Sequence, residues 1–335
     1  MRRFPLAVVL AALMAALAAA ILIAVAFGAV PVPLGRILAT FRGDGDPTDA
    51  AIVLSLRLPR VLGAAVVGGA LAGAGALLQG MLRNPLADPY VLGASAGASV
   101  GAVLGLIVGG AFGVLLVPAL AFAGALLSVV AVWQLARVGG QTPVVTLLLA
   151  GVVLSAFAGS ITTVLLVASD RLQLRLVSVI GWLMGGVAVV SWAQLVVSAV
   201  LVAVALTVAL AIAPRLDALS LGDDAAASLG VDVEVTKRIV LAASALLAAA
   251  AVSLAGLIAF VGLIAPHFVR VLLGAAHARL VPAAVLAGAV FLVVADLVAR
   301  LALAPAELPV GVISGLVGGP FFFALLWRYR AAYRL

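Results

Sequence analysis

Residues 57–82 read RLPRVLGAAVVGGALAGAGALLQGML, and no charged side chain follows Arg60 until Arg83. A bilayer span takes about 20 mainly apolar residues, so residues 61–82 predict a transmembrane segment that starts directly after Arg57 and Arg60. Gly69 and Gly73 lie one helical turn apart within it, a spacing that permits close contact between membrane helices. The stretch predicts a helical integral membrane protein.

The rest of the chain has the same composition. Of its 335 residues, 67% are hydrophobic and 9% are charged, against about 25% charged in a typical soluble domain. Apolar runs without alternation favour helices over membrane strands. We predict an all-α membrane protein that forms a single domain, residues 1–335, with about ten spans. The predicted spans lie near residues 5–27, 61–82, 92–110, 113–135, 144–168, 192–213, 238–256, 258–270, 280–303 and 310–327.

This composition excludes several classes of protein. A cytosolic enzyme or a nucleic-acid-binding protein would need a soluble domain, for which few residues remain. The chain has no cysteine, which removes thiol catalysis and thiolate metal sites. The Walker phosphate-binding motif requires Gly-Lys-Ser/Thr, whereas the single lysine, Lys237, follows Thr236. We predict a protein that is not an enzyme, has no catalytic residues, metal or cofactor, and cannot hydrolyse ATP alone.

The basic residues predict the topology. The formal net charge is +7, and basic side chains gather on the cytoplasmic side of membrane proteins. With both termini in the cytoplasm, 12 of the 19 basic residues fall inside and seven outside, which supports this orientation. The seven outer residues are Arg36, Arg42, Arg57, Arg60, Arg171, Arg175 and Arg300.

Three of these arginines, Arg57, Arg60 and Arg300, lie at the outer ends of predicted spans. Cationic side chains at a rim suit carboxylates on a docking protein; the alternative is contact with lipid headgroups. Asp296 is acidic and lies within a predicted span, where such residues are functional candidates by default. Because Arg300 follows it by four residues on one helical face, an ion pair is favoured over a substrate role.

The predicted inner segment 214–236 concentrates acidic residues. It contains a short helical run, Ala225 to Leu229, which Gly230 would end as a C-cap. A solvated loop and a docking surface for a cytoplasmic partner both fit this composition. The acidic residues are Asp217, Asp223, Asp224, Asp232 and Glu234.

Two other functions stay open at this level. His267 and His277 are the only histidines, too few for a typical His-based metal site; an intramembrane hydrolase built on His267 would also need a facing serine. An ion-coupled secondary transporter is suggested by Asp296 and by a weak repeat, because Gly75–Gly93 and Gly256–Gly274 share one spacing of Gly, Pro and Gly. Inverted repeats are typical of transporters.

A series of motifs resembles one known family. The motifs occur in order, at matching spacing, over nearly the whole chain. They resemble the permease subunits of the bacterial ABC importers for ferric siderophores, haem and cobalamin. The motifs are RLPR at 57–60, LRNPLADPYVLG at 82–93, Gly222 with Ala226 and LGV at 229–231, GLIAPH at 262–267, ELPVG at 307–311 and GGPFF at 318–322.

The resemblance implies a ten-helix, inverted-repeat permease of the type II importer fold, working as a homodimer in the bacterial inner membrane. Its implied partners are two cytoplasmic ATPase subunits, which bind the ATP, and a periplasmic binding protein that delivers a metal chelate. Import would proceed by alternating access at the dimer interface. The breadth of the family favours haem or a ferric siderophore over cobalamin.

The resemblance also implies roles for single positions. Arg57, Arg60 and Arg300 would meet glutamates of the binding protein. The segment 214–236 would couple to the ATPase through Asp217, Leu221, Gly222, Asp223, Ala226, Leu229 and Gly230. The cytoplasmic gate would contain Asn84, Leu86, Gln141 and Thr142.

Overall fold

The computed structural model describes residues 4–28, 30–109, 113–174, 176–187 and 191–330. Arg2, Arg3, Arg175 and Arg334 of the predicted charge pattern lie outside this range. The described chain consists of helices joined by short connections. They are α1 (Leu6–Ala26), α2 (Leu34–Arg42), α3 (Pro47–Ala50), α4 (Leu58–Met81), α5 (Ala94–Val108), α6 (Gly113–Ala136), α7 (Val144–Ala168), α8 (Asp170–Gln173), α9 (Leu176–Leu183), α10 (Trp192–Ala211), α11 (Ala213–Leu219), α12 (Asp223–Ser228), α13 (Val233–Ala255), α14 (Val261–Leu273), α15 (His277–Leu301) and α16 (Val310–Arg330).

Within the described residues, 8 helical stretches are long and apolar enough to cross a membrane. The apolar helices α5 and α14 are shorter, with 15 and 13 residues, so the prediction of about ten membrane helices fits. Several bounds differ from those predicted. The spans placed at 61–82, 238–256 and 280–303 begin earlier, at Pro47, Val233 and His277, and the span placed at 258–270 is Val261–Leu273. Residue 110, in the span placed at 92–110, lies outside the described residues.

The stretch containing α4 begins earlier than the predicted residue 61 because the chain is already helical before Pro59. Leu58 N–H donates to the Val53 carbonyl, five residues back, within the π-helical segment Ala51–Arg57. Proline has no N–H to continue the α-helical pattern, and π-turns occur at such irregular points. The Leu54 carbonyl of this segment accepts from Trp192 Nε1 at 3.1 Å.

The helices α5 and α14 are short because each begins inside the bundle. Before α5, residues 82–93 turn back along α4, where Gln79 Nε2 donates to the Ala87 carbonyl at 3.4 Å. Before α14, residues 256–260 turn back from the end of α13, and Gln79 Nε2 also lies 3.3 Å from the Gly262 carbonyl. These two re-entrant segments meet where Ile258 N–H donates to the Tyr90 hydroxyl at 3.2 Å.

The two re-entrant segments come from opposite ends of the bundle. Asp223 contacts both Arg83, just after α4, and Lys237, near the start of α13, so the C-terminal end of α4 and the N-terminal end of α13 share one side. Broken helices approached from opposite sides are typical of inverted-repeat transporters.

The sequence pairing of Gly75–Gly93 with Gly256–Gly274 is nevertheless wrong. Gly75 lies within α4 and Gly93 precedes α5, whereas Gly256 ends α13 and Gly274 ends α14. The matched glycines therefore occupy different structural positions.

Helices α4 and α13 form the centre of the bundle. In their most apolar windows, 83% and 72% of the residues are buried, against 17% for α7 and 22% for α16. α4 crosses its neighbours at glycines: Gly68 faces Gly288 of α15, and Gly75 faces Gly262 of α14 so closely that a methyl group on Gly75 would overlap the Gly262 carbonyl. Small residues let membrane helices approach at their backbones.

The crossing at Gly75 gives a test of the fold. Gly75→Ala should lower the thermal unfolding midpoint of the purified permease, because the two backbones must separate, and overpacking costs about 1–3 kcal/mol. Gly35→Ala in α2 is the control, since a methyl group there meets nothing within 4 Å. Equal midpoints for the two variants would contradict the crossing.

Candidate functional site

At the end predicted to face outward, two arginines bind the C-terminal end of α1. Arg57 Nη1 donates to the carbonyls of Val25 and Ala26 at 2.9 and 3.1 Å, and its Nη2 donates to the Val30 carbonyl. The last carbonyls of a helix have no partner within the helix, and a cation complements the negative end of its dipole. Gly28 lies against the Arg57 guanidinium, where a side chain would crowd it.

Arg300 binds the same helix end. Its Nη2 donates to the Ala24 carbonyl at 3.0 Å and its Nη1 to the Phe27 carbonyl at 3.2 Å. The residue is only 5% exposed. Arg57, just before α4, and Arg300, in α15, therefore hold the C-terminal end of α1 and the residues that follow it.

Asp296 joins two of the arginines. Its Oδ2 accepts from Arg300 Nε at 2.9 Å, which confirms the ion pair predicted from their spacing. Its Oδ1 accepts from Arg60 Nε at 3.0 Å. The carboxylate is fully buried, and Arg60 extends the chain of charges to the half-exposed Glu307 through a 2.8 Å bond from Nη1. These residues, Arg57, Arg60, Asp296, Arg300 and Glu307, form the outer cluster.

The structure thus brings the three predicted docking arginines together, but it buries Arg57 and Arg300 in contacts within the chain. Among the three, Arg60 reaches a surface residue, since Glu307 is exposed. Their role in docking stays a prediction, and their contacts assign them a structural role first. Sequence reasoning missed Arg60–Asp296 and the carbonyls of α1, which lie far away in the sequence.

At the opposite end, the inner segment 214–236 folds into α11, α12 and the start of α13. Gly222 separates the two short helices with φ of 122°, and Gly230 ends α12 with φ of 79°. Beside these glycines, Leu221 and Leu229 are 70% and 65% exposed, whereas Ala226 is buried. The segment therefore presents two leucines to its surroundings on glycine turns.

Asp223, at the start of α12, connects this segment to the rest of the bundle. Its Oδ2 accepts from Lys237 Nζ at 2.6 Å. Its Oδ1 lies 3.6 Å from Arg83 Nη2, in the turn that precedes the predicted gate residue Asn84. The carboxylate is 40% exposed, so this contact lies at the edge of the protein.

Lys237 and Glu234 connect Asp223 to Thr142, a predicted gate residue of the second turn. Lys237 Nζ donates to the Thr142 carbonyl at 3.2 Å. The Glu234 carboxylate accepts from Thr142 through both its backbone N–H, at 3.0 Å, and its hydroxyl, at 2.9 Å. We call Arg83, Thr142, Asp223, Glu234 and Lys237 the inner cluster. Sequence reasoning did not assign Arg83, Glu234 or Lys237, although a single lysine in an acidic segment was a signal.

The remaining predicted residues of this end have local contacts. Asn84 Oδ1 accepts from Leu86 N–H at 2.9 Å, which shapes the turn after α4. Gln141 pairs its backbone with Val138 and is exposed. Asp217 accepts from both the backbone N–H, at 2.9 Å, and the ring Nδ1, at 2.5 Å, of His277, and so ties α11 to the start of α15.

The other histidine shows no catalytic arrangement among the described residues. His267 Nδ1 is buried without a hydrogen-bond partner there, and its ring packs edge-on against Phe321 with centroids 5.8 Å apart. The described residues also contain no group of three His, Cys, Asp or Glu side chains that could hold a metal ion. Nothing in the described residues supports an intramembrane hydrolase built on His267.

The bundle and its broken helices are those of a multi-pass membrane transporter, and the match of the whole fold to a solved ABC transporter places the chain among ABC-importer permeases. The chain belongs to the FecCD transport family, whose sequence model matches residues 16–328.

Named relatives and a solved structure match most of the chain. The cobalamin import system permease protein BtuC of Halobacterium salinarum is 42% identical over 306 residues, covering 91% of this chain and 81% of the relative. The hemin transport system permease protein HmuU of Yersinia pestis is 40% identical over 283 residues, covering 83% of this chain and 84% of the relative. A metal-chelate type ABC transporter in an inward-facing conformation has a TM-score of 0.84 at 30% identity, covering 95% of this chain and 98% of that one.

The outer cluster predicts that neutralising its buried acid, Asp296, destabilises the protein far more than neutralising its exposed acid, Glu307. Asp296→Asn should destabilise the permease by about 3–5 kcal/mol, because it leaves buried arginines without their counter-charge. Glu307→Gln is the control and should cost about 0–1 kcal/mol, since that ion pair is exposed. Denaturant unfolding of the purified protein measures both, and equal losses would contradict the assignment.

Proposed function

We propose that the chain is the membrane-spanning permease of an ATP-driven importer that moves a metal chelate from the periplasm to the cytoplasm, haem or a ferric siderophore ahead of cobalamin. It belongs to a family whose relatives include permeases named for cobalamin and hemin import. The observation that carries the mechanism is the inner cluster, in which the Asp223 carboxylate contacts Arg83, beside Asn84, and is joined to Thr142 through Lys237.

The proposed partner at this end is an ATPase subunit. Leu221 and Leu229 lie outside the spans and are mostly exposed, so a cytoplasmic protein that covers them would bury apolar surface. Movement of α12 by the ATPase would pull on Asp223, and through it on Arg83 and Lys237. The turns that contain Asn84 and Thr142 would move with them and open or close the gate. The permease would thereby switch between two discrete packings, as alternating access requires.

The proposed assembly is a homodimer with its translocation path between the two copies. α7 and α16 leave most of their residues unburied in the single chain, as α1 does, and so offer apolar surface to a second copy. Homo-oligomers with two-fold symmetry are the commonest assemblies. In this assembly both termini face the cytoplasm and the outer cluster faces the periplasm, in the bacterial inner membrane.

Docking of a periplasmic binding protein is proposed at the outer cluster. Arg60 is the member best placed to contribute, because its partner Glu307 is exposed and a carboxylate of the docking protein could exchange with it. Arg57 and Arg300 would act by holding α1 beside it. Such rim charges change association rates and salt dependence more than affinity.

The function is tested by uptake into proteoliposomes that contain the permease and its ATPase. Binding protein loaded with haem, a ferric siderophore or cobalamin is added in turn. We expect ATP-dependent accumulation of one chelate. Uptake that continues without ATP and stops when an ion gradient is dissipated would favour a secondary transporter, the alternative suggested by Asp296. That alternative lost support when both oxygens of Asp296 proved to bind arginines.

The inner cluster predicts a separation of ATP hydrolysis from transport. Lys237→Met removes the cation that joins Asp223 to Thr142. ATP hydrolysis by the assembled complex should therefore continue while chelate uptake falls about tenfold or more, a typical size for a coupling between two sites. Arg279→Met is the control, an exposed arginine at the same end. Normal uptake by the Lys237 variant would show that the cluster does not transmit the movement.

A further inference from the structure

A groove opens between α6 and α13, outside both charged clusters. Its volume is about 430 Å³. It opens toward the lipid-facing surface, because Val130 is 51% exposed and Ala242 is exposed. Apart from Arg238, its lining residues are apolar, from α6 on one side and α13 on the other. The lining residues are Leu126, Val129, Val130, Trp133, Arg238, Leu241, Ala242, Ala245 and Leu246.

The groove has one charged end and one apolar end. Arg238 lies at the first, and Leu246 lies eight residues further along α13, which at 1.5 Å per residue is about 12 Å deeper. The charged end lies near the inner cluster, since Thr142, after α6, bonds to Glu234, before Arg238. The apolar part therefore runs from the inner surface toward the middle of the membrane, as an acyl chain does.

A second arginine lies at the same end. The guanidinium carbon of Arg137 is 5.1 Å from the centroid of the Trp133 ring, stacked over it, and Trp133 lines the groove. Both Arg137 and Arg238 are exposed. Within the described residues neither guanidinium has a carboxylate within 4.0 Å, whereas the neighbouring Lys237 has two.

We propose that this groove binds an anionic phospholipid, with the headgroup phosphate at Arg137 and Arg238 and one acyl chain along α6 and α13. Two cations without counter-charge attract the phosphate, and the apolar trough accepts the chain. Basic pockets between membrane helices on the cytoplasmic side bind anionic headgroups in this way. A zwitterionic phospholipid carries its own cation beside the phosphate, so it gains less from the arginines.

The proposal uses the proposed orientation only to name the cytoplasmic leaflet, and its test needs the permease alone. Delipidated permease in detergent is mixed with equal amounts of dioleoyl phosphatidylglycerol and dioleoyl phosphatidylcholine, and native mass spectrometry counts the lipids retained. We expect phosphatidylglycerol to be preferred about tenfold or more, because two arginines near the headgroup attract an anionic lipid more strongly than a zwitterionic one.

Four variants separate the effect of charge from that of shape. Arg137→Gln with Arg238→Gln should bring the preference close to parity, while Arg279→Gln, at the same end but outside the groove, should keep it. Ala242→Trp fills the groove and leaves the arginines in place, so it should reduce retention of both lipids. Arg137→Lys with Arg238→Lys should keep most of the preference.

Several outcomes would overturn the proposal. One is equal retention of the two lipids by the unmodified permease, which would leave only a nonspecific apolar trough. Another is an equal loss of preference in the Arg279→Gln variant. If the double glutamine variant does not fold, the Ala242→Trp variant and the lipid preference of the unmodified permease decide the matter. Because no ATPase or transport enters these measurements, failure of the proposed import function would not affect them.

Discussion

The absence of water within a membrane governs this structure, since a backbone N–H or C=O there must find its partner inside the protein. Continuous helices meet this condition unaided. Where the described chain departs from continuous helices, specific side chains bind the freed backbone groups: Arg57 and Arg300 bind the carbonyls at the end of α1, the Tyr90 hydroxyl accepts from Ile258, and Trp192 donates to the π-helical segment. Among the buried polar side chains, Arg57 and Arg300 serve the first of these interruptions directly, and Asp296 holds Arg300 in place.

The outer and inner clusters have the same arrangement of charges but differ in how deeply they are buried. In each, one aspartate joins two cations: Asp296 joins Arg60 and Arg300, and Asp223 joins Lys237 and Arg83. Separating charges is costly when they are buried, because a lone charge remains without solvent, and cheap when water can replace the partner. The side chain of Asp296 is 1% exposed and that of Asp223 is 40% exposed. The outer cluster is therefore suited to fix three helices, and the inner cluster to exchange contacts during a cycle.

Sequence reasoning succeeded where the physics is local. Span-length apolar runs identified the membrane helices, the four-residue spacing identified the Asp296–Arg300 pair, and Gly222 and Gly230 marked the turns of the inner segment. It failed where partners come together only in three dimensions. Arg60 and Asp296 are 236 residues apart, and Thr142 and Glu234 are 92 apart, so spacing carries no information about either pair. The contacts of the outer arginines could not be predicted for the same reason. Their position at the ends of spans does not indicate that their guanidinium groups bind carbonyls at the end of α1.

The start of α13 shows how adjacent residues can serve the protein interior and the membrane separately. Lys237 is 3% exposed and lies among Thr142, Asp223 and Glu234, whereas Arg238 is exposed at the mouth of the lipid-facing groove. Successive helical residues point about 100° apart, since one turn holds 3.6 residues. An anion at Arg238 would therefore hold α13 from its membrane side while Asp223 holds it from within. Glu234, one turn before Arg238, binds Thr142 just after α6. A shift of α13 relative to α6 would therefore change the contacts of the inner cluster and the shape of the lipid groove at the same time.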